Sequence, residues 1–276
     1  MKRKYYCLVA GLQDINLDVH KLNFDQKAFK EYLKEEVHPK DFLLVEKLFL
    51  PYDNKNLLIL LQKEDKELHE KGNFSREFLE ENIKEPTDSL PQYMRRFITA
   101  FKNKEPIFPD MSPENELTTL FYDAMLKLDN EFLRNWFQFN LNIRNITTAL
   151  AARKHDLPYE KQIIGTGEIS DTIRKSHARD FGLGNELDYM EDLMNIVRQD
   201  DIQVREKAMD QIRWEYLDEV TFFEYFTIER VLAFTIKLGM VERWLGIDID
   251  HGREMFRKLL SELKSSYELP ETFKEK

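Results

Sequence analysis

Large apolar side chains recur every three or four residues through the middle of the chain, between residues 117 and 157. This spacing matches the α-helical repeat, so it predicts one long helix of about eight turns at 3.6 residues per turn. The stripe consists of Phe121, Met125, Leu128, Phe132, Trp136, Phe139, Ile143, Ile146 and Leu150. A second stripe of Leu133, Phe137 and Leu141 widens the apolar surface, and no proline or glycine interrupts the segment before Pro158. We therefore expect a central helix that is buried from several sides.

Helical spacing also dominates the rest of the chain. A second strongly apolar helix is predicted at residues 221–245, and Asp25 and Ser75 are predicted N-caps because their side-chain oxygens can accept from free backbone N–H groups. Pro51 is expected to end one helix, and Asp53 to begin the next. Other segments with helical spacing are 24–33, 75–82, 93–101, 190–197, 201–220 and 250–265. No segment shows the sustained alternation of an exposed strand, so the predicted fold class is all-α, a bundle of long helices.

Prolines divide the region between residues 86 and 113 into short pieces. They are Pro86, Pro91, Pro106, Pro109 and Pro113. Because proline removes a backbone donor and disfavours helix in the residue before it, this region is the expected boundary between two units. The predicted units are an N-terminal helical unit at 1–105 and a C-terminal unit at 106–276, the second built on the 117–157 and 221–245 helices.

A short pattern of amide and aliphatic residues occurs twice. The run from Asp53 to Leu57, followed by Leu61, contains an acid, then an asparagine three positions later, then an aliphatic residue and a leucine. The run from Asn142 to Ile146, followed by Leu150, repeats this order with an amide in first place. Two interpretations stay open: two or three degenerate helical repeat units, or a chance coincidence of asparagine and leucine in a helical protein.

The charge balance excludes one class of function. The chain has 51 acidic and 41 basic side chains, so its formal net charge is −10. A general nucleic-acid binder depends on clustered Lys and Arg, so we exclude that class but not docking on a basic protein surface. The single Cys7 cannot form an internal disulfide and suits a reducing cytoplasm. No apolar segment has the length of a bilayer crossing, so we expect membrane association only through a partner.

Residue types that catalyse reactions or bind metals are present without the spacing that this chemistry needs. None of the six histidines lies three or four residues from another, and Glu35 with His38 forms only half of a di-metal motif. The glycine-containing segments 165–167 and 182–184 lack the Lys-Ser/Thr pair of a phosphate-binding loop. We therefore expect no catalytic residue, no metal and no cofactor, in a protein that is not an enzyme.

Polar residues lie among the apolar positions in the last turns of the predicted central helix. They include Asn142, Arg144, Asn145 and Arg153, and Glu229 has a comparable position in the second apolar helix. Either these side chains are solvated or bonded to neighbouring helices, or together they contact a partner or lock helices together. A buried carboxylate needs a partner, so Glu229 either faces solvent or pairs with Arg144 or Arg153.

Residues 142–153 resemble a motif of one family of V/A-type ATPase subunits, the C-type subunits, whose eukaryotic members are called d-type. The family motif is Asp-x-x-Asn-Ile-x-x-x-Leu-Arg-x-Arg/Lys on a long helix. A second resemblance lies at residues 226–234, which are similar to a Phe-x-x-Glu-x-Val-x-Ala-Tyr helix of the family. The charged continuation of that helix is represented here by Lys237, Glu242 and Arg243.

The resemblance has departures. Asn142 stands where the family usually has aspartate, Ala151 stands where it usually has arginine, and the chain is shorter than typical members. The opening residues 5–12 resemble those of an uncharacterised bacterial family associated with V-type ATPase genes.

The resemblance implies a non-catalytic component, built from similar helical units, that couples a rotating central stalk to a membrane proteolipid ring during proton or sodium transport. The implied partners are the rotor stalk subunits and the proteolipid ring, with no nucleic acid and no direct membrane insertion. The implied location is cytoplasmic, peripheral to the inner face of the membrane through partner subunits. The alternative is a helical adaptor or regulatory protein of a multi-subunit complex without a rotor role. The expected structural or partner-binding motif consists of Asn142, Arg144, Asn145, Arg153, Glu229 and Arg243.

Overall fold

The computed structural model describes the backbone of residues 3–19 and 21–266, and the side chains of these residues as far as residue 247. The described residues form eleven α-helices, one 3-10 turn (Glu160–Gln162) and no strand, which confirms the predicted all-α bundle. The α-helices are α1 (Tyr6–Ala10), α2 (Gln26–Glu36), α3 (Pro39–Gln62), α4 (Arg76–Lys84), α5 (Gln92–Asn103), α6 (Pro113–Met125), α7 (Glu131–Lys154), α8 (Glu168–Lys175), α9 (Met190–Val197), α10 (Ile202–Val220) and α11 (Ile228–Ser266).

Both N-caps predicted from the sequence are present. The Asp25 carboxylate accepts a hydrogen bond from the N–H of Ala28 at 2.7 Å, at the start of α2. The Ser75 hydroxyl accepts one from the N–H of Phe78 at 3.2 Å, at the start of α4. Each cap gives a partner to a first-turn N–H group that has none inside its own helix.

The predicted central helix is in fact two helices, α6 and α7, separated by residues 126–130. Asn130 explains the break, because its side chain accepts a hydrogen bond from the N–H of Leu133 at 2.9 Å and caps α7. The two helices pack against each other, and the ring centroids of Phe121 and Phe137 are 5.4 Å apart. The apolar stripe continues through the break because both helices turn it toward the same core.

The helix α3 runs through Pro51, so the predicted break between Pro51 and Asp53 is wrong. A proline inside a helix removes a backbone hydrogen bond and costs about 3 kcal/mol. Phe49, Leu50 and Leu57 are almost completely buried on either side of it. Burying one such side chain contributes about 1.5–3 kcal/mol, so the packing of this helix offsets the cost of its proline.

The second predicted apolar helix starts later and continues farther than the expected range of 221–245. Residues 221–227 form a turn, and α11 begins at Ile228. The helix continues to Ser266, so the separate helix predicted at 250–265 belongs to it. Its 39 residues extend for about 58 Å at 1.5 Å per residue, and it packs on α2, α3 and α10.

Apolar side chains from both predicted units pack into one continuous core. The helices α5 and α6 pack together across the expected boundary at residue 105, and the ring centroids of Tyr93 and Phe121 are 5.9 Å apart. The helix α3 also packs on α6. The two segments share this core, and the division into units at 1–105 and 106–276 stays a prediction.

Candidate functional site

Asn145 holds a loop against α7 through both polar groups of one residue's backbone. Its Nδ2 donates to the carbonyl oxygen of Ile164 at 2.8 Å, and its Oδ1 accepts from the N–H of Ile164 at 3.0 Å. Nδ2 also donates to Oγ of Ser170 at 3.1 Å. Asn145 is 1% exposed and Ile164 is fully buried, so this amide satisfies backbone groups that water cannot reach.

Asn56 makes the same pair of contacts in α3. Its Nδ2 donates to the carbonyl oxygen of His69 at 2.9 Å, and its Oδ1 accepts from the N–H of His69 at 2.7 Å. Asn56 is also 1% exposed, although His69 itself is exposed. A single amide thus fixes the loop that leads from α3 to α4.

The two asparagines have equivalent places in two similar arrangements of helices. Both α3 and α7 contain 24 residues, and the loop that each asparagine holds leads to a short helix of 9 residues in α4 and 8 in α8. Asn56 and Asn145 are also the residues that correspond in the pattern found twice in the sequence. The pattern therefore coincides with a shared geometry at its asparagine.

The first position of the pattern does not share that geometry. Asp53 accepts hydrogen bonds from the backbone N–H groups of Asn73 at 2.7 Å and Phe74 at 3.1 Å. Asn142 instead donates to the Tyr189 hydroxyl at 3.2 Å and accepts from the Gln138 amide at 2.8 Å. Asn142 therefore connects α7 to the residue that precedes α9, and it holds no loop backbone.

Asp53 is fully buried beside the loop that Asn56 holds. Burial raises the pKa of Asp53 to about 6, while hydrogen bonds from Asn73 and Phe74 and the nearby charge of Lys30 act in the opposite direction. Lys30 donates to the Gly72 carbonyl oxygen at 3.2 Å and lies over the ring of a buried phenylalanine, and burial lowers its pKa. A Cβ on Gly72 would lie 2.6 Å from Oδ1 of Asp53, so a larger residue here would displace this carboxylate from its hydrogen bonds to Asn73 and Phe74.

Arg153 holds the loop region between α7 and α9. Its Nη2 donates to the Tyr159 hydroxyl at 2.8 Å and to the Ser176 carbonyl oxygen, and its Nη1 donates to the Ala178 carbonyl oxygen at 2.6 Å. The guanidinium carbon also lies 4.0 Å from the centroid of the Phe181 ring. One arginine therefore fixes the backbone of this segment by hydrogen bonds and by stacking on an aromatic ring.

Arg144 joins α7 to α6. Its Nη2 donates to Oδ1 of Asn115 at 2.9 Å, and Nδ2 of Asn115 donates to Oε1 of Gln162 at 3.1 Å. Burial lowers the pKa of the Arg144 guanidinium. Glu229, in α11, accepts from Nδ2 of Asn130 at 3.4 Å. The ion pair considered between Glu229 and Arg144 or Arg153 is absent from the contacts of the described residues.

Arg243 belongs to a charged network centred on Asp210, which the sequence did not single out. Asp210 is 2% exposed and accepts from Arg243, from Arg213 at 3.0 Å and from Nε1 of Trp244 at 2.9 Å. Nε of Arg213 also donates to Oδ1 of Asn140 at 3.1 Å. The network therefore joins α7, α10 and α11, and the only signal for it in the sequence is the pair of opposite charges three residues apart in α10.

A metal site and a membrane span are two further kinds of functional feature, and neither has a candidate among the described residues. Among the residues with described side chains, no group of three or more His, Cys, Asp or Glu is arranged to hold a metal ion. None of the helices in the described part of the chain combines the length and apolar character that a bilayer crossing requires.

The protein is thus an all-α bundle in which buried asparagine and arginine side chains fix loops to long helices. A family model described as a protein of unknown function, DUF2764, matches residues 1–267, so the chain belongs to that family. This description assigns no activity. Neither a curated protein nor a solved structure gives a significant match to the chain.

Proposed function

We propose that this chain is a non-catalytic component of a V/A-type ATPase, similar to its C-type subunits, that couples the central rotor stalk to the membrane proteolipid ring. The observation that carries the proposal is the equivalent contact of Asn56 and Asn145. Residues 142–153 carry the resemblance to that family, and the asparagine at its centre is a buried residue that holds a loop. The same contact occurs a second time in the chain, as expected for a protein of repeated helical units.

A coupling component must transmit torque without deforming, which requires a stiff body. Helices packed around one aromatic-rich core provide such stiffness, because close-packed interiors have low compressibility. Loops are usually the softest parts of a helical bundle, and here Asn56, Asn145 and Arg153 attach three of them to the body. These contacts support a mechanical role for the motif residues.

The long helix α11 supports the same role because it is attached along its length. Gln26 donates from its side chain to the Thr235 carbonyl oxygen at 3.0 Å, and its backbone N–H donates to Glu242 at 3.0 Å. Glu242 also pairs with Lys71 at 2.9 Å. Together with the Asp210 network, these contacts attach α11 to α2, to the loop after α3 and to α10.

The proposed partners are the rotor stalk subunits and the proteolipid ring, and the proposed location is cytoplasmic, at the inner face of the membrane through these partners. The net charge of −10 favours basic surfaces on the partners. A helical adaptor without a rotor role is the rival function. The departures at Asn142 and Ala151 favour it, because Asn142 contacts Tyr189 and Gln138 and holds no loop.

The experiment that separates the two functions is affinity purification of the tagged full-length chain from detergent-solubilised membranes of its own source. We expect mass spectrometry to find the proteolipid ring and the stalk subunits together. Asn145→Ala is expected to reduce this recovery, whereas Asn195→Ala, an exposed position in α9, is expected to leave it unchanged. Recovery of stator subunits alone, or of an unrelated complex, would support the adaptor and contradict the rotor role.

A further inference from the structure

The turn between α10 and α11 directs three large aromatic side chains toward solvent. Phe222, Phe223 and Tyr225 are 66%, 79% and 61% exposed, and Val220 beside them is 36% exposed. The rings of Phe222 and Phe223 are perpendicular, with their centroids 4.9 Å apart. Single exposed apolar residues are ordinary, but a contiguous group that is rich in aromatic residues is typical of an interaction surface. We refer to these four residues as the aromatic patch.

Buried contacts anchor the turn that carries the aromatic patch. Thr221 and Thr227 are 2% and 1% exposed, and the Thr221 hydroxyl donates to a carbonyl oxygen of α10 at 2.6 Å. The Thr227 hydroxyl donates to the Glu224 carboxylate at 2.7 Å. The carbonyl oxygen of Phe226 accepts from the N–H of Tyr5 at 2.7 Å. The turn therefore presents its aromatic rings in a fixed geometry, which lowers the entropic cost of binding a partner.

An acidic groove with a volume of about 650 Å³ adjoins the aromatic patch and shares Val220 with it. The groove lies between the start of α3, the start of α7 and the junction of α10 and α11. Arg3 is its one basic side chain among the described lining residues. The acidic residues that line it are Asp41, Asp129, Glu131, Glu224 and Glu229. Arg3 pairs with Asp41 at 3.2 Å, and the exposed carboxylates of Asp129 and Glu131 give the groove a negative potential beside the apolar surface.

We propose that the aromatic patch and the acidic groove together bind a basic segment of a partner protein. The apolar side chains of that segment would cover the patch, and its Lys or Arg side chains would enter the groove. Charge complementarity selects this occupant. Anionic lipid surfaces and nucleic acids are attracted by clusters of Lys and Arg, so the carboxylates of the groove repel both. The proposal depends on these residues alone and holds whether or not the protein couples a rotor.

The test uses the full-length chain and a synthetic amphipathic peptide of lysine and leucine, with a peptide of glutamate and leucine of the same length as its counterpart. We expect the lysine peptide to bind, with an affinity that falls as salt concentration rises. The double substitution Phe222→Ser with Phe223→Ser is expected to weaken this binding at least about tenfold, because exposed aromatic anchors dominate such interfaces. The double substitution Asp129→Asn with Glu131→Gln is expected to weaken it and to reduce its dependence on salt.

The matched control replaces two exposed apolar residues at the other end of α10. Ile202 and Val204 are 64% and 49% exposed, and changing both to serine is expected to leave the affinity within about twofold. Circular dichroism of each variant checks that the fold is retained.

Several results would overturn the proposal. Equal affinity for the two peptides, or an unchanged affinity in both double variants, would show that the surface has no preference for a basic apolar segment. Sedimentation with vesicles of phosphatidylcholine and phosphatidylserine, lost on changing Phe222 and Phe223, would assign the patch to a membrane. Self-association of the chain that disappears in the same variant would assign it to a second copy of this protein.

Discussion

Replacing Asn145 by alanine removes the partner of two buried backbone groups at once. Ile164 is fully buried, so water cannot bind its N–H and carbonyl groups when the amide is lost. A buried polar group without a partner costs about 1–3 kcal/mol, and two such groups cost about 2–6 kcal/mol. The better helix propensity of alanine offsets about 0.7 kcal/mol of this. We therefore expect Asn145→Ala to lower the free energy of unfolding by about 1–5 kcal/mol.

The equivalent change Asn56→Ala removes the same two hydrogen bonds with a smaller expected effect. The residue that Asn56 holds, His69, is exposed, so water can replace the amide. The net contribution of a hydrogen bond that water can replace is about 0.5–1.5 kcal/mol, and alanine again offsets about 0.7 kcal/mol, so the expected loss for the two bonds is about 0.3–2 kcal/mol. Asn135 is exposed in the same helix as Asn145, and its change to alanine is expected to alter stability by no more than about 0.5 kcal/mol.

Urea unfolding followed by far-UV circular dichroism measures all three variants on the same scale. Hydrogen exchange at the Ile164 amide adds a local measurement, because this N–H should exchange faster in Asn145→Ala than in Asn135→Ala. A loss for Asn145→Ala that does not exceed the loss for Asn56→Ala would refute the reasoning, since it would show that water reaches Ile164.

Three further predictions follow from other contacts. Because the pKa of Asp53 is raised to about 6 in the folded chain, against about 3.9 when unfolded, this carboxyl stabilises the fold most below about pH 4 and loses that effect as the pH rises through 6. Asp53→Asn lacks this titration. Its free energy of unfolding in urea, relative to that of the native chain, should therefore rise by up to about 3 kcal/mol between pH 4 and 7. If this difference in free energy is the same at both pH values, the pKa of Asp53 is not raised by burial. In α11, Gly239→Ala brings a Cβ to 2.5 Å from Nε2 of Gln26 and should lower the melting temperature, whereas Gly246→Ala meets no atom within 4 Å and should raise it. Asp210→Asn removes the charge that Arg213 and Arg243 share, and we expect it to lower the free energy of unfolding, measured with urea, by about 2 kcal/mol. A decrease below about 0.5 kcal/mol would mean that water can replace the carboxylate as the partner of the two arginines.

The sequence predicts the class of the fold and several of its local features, since these depend on residues close together in the chain. Helical spacing predicts the all-α bundle, and Asp25 and Ser75 are confirmed as N-caps because capping involves only the next three residues. The break at residues 126–130 was missed because apolar spacing alone continues through it. Asn130 was the available signal, since asparagine favours helix starts over helix interiors.

Contacts between distant elements are the part of the site that the sequence could not predict. The helical spacing of Val204, Ala208, Ile212 and Tyr216 predicts α10, and Ile212 and Tyr216 do pack against the core. The spacing does not predict that Val204 is 49% exposed or that the charged Asp210 is 2% exposed. Asp210 is buried because Arg243 and Trp244 of α11 reach it, and spacing within α10 contains no information about their position. Similarly, the pattern found twice indicates Asn56 and Asn145, but it does not indicate which loop each one holds.

The attachment of α11 to earlier parts of the chain has a consequence for synthesis on the ribosome. The groups that bind this helix come from α2, from the loop after α3 and from α10, so they have no partner until α11 leaves the exit tunnel. Even the N–H of Tyr5, which directly precedes α1, binds the carbonyl oxygen of Phe226. Until then, the apolar surfaces of the growing chain lack their final cover and depend on transient protection from aggregation. Contacts of such high sequence separation also slow folding, because the entropy of closing long loops is lost before these contacts form.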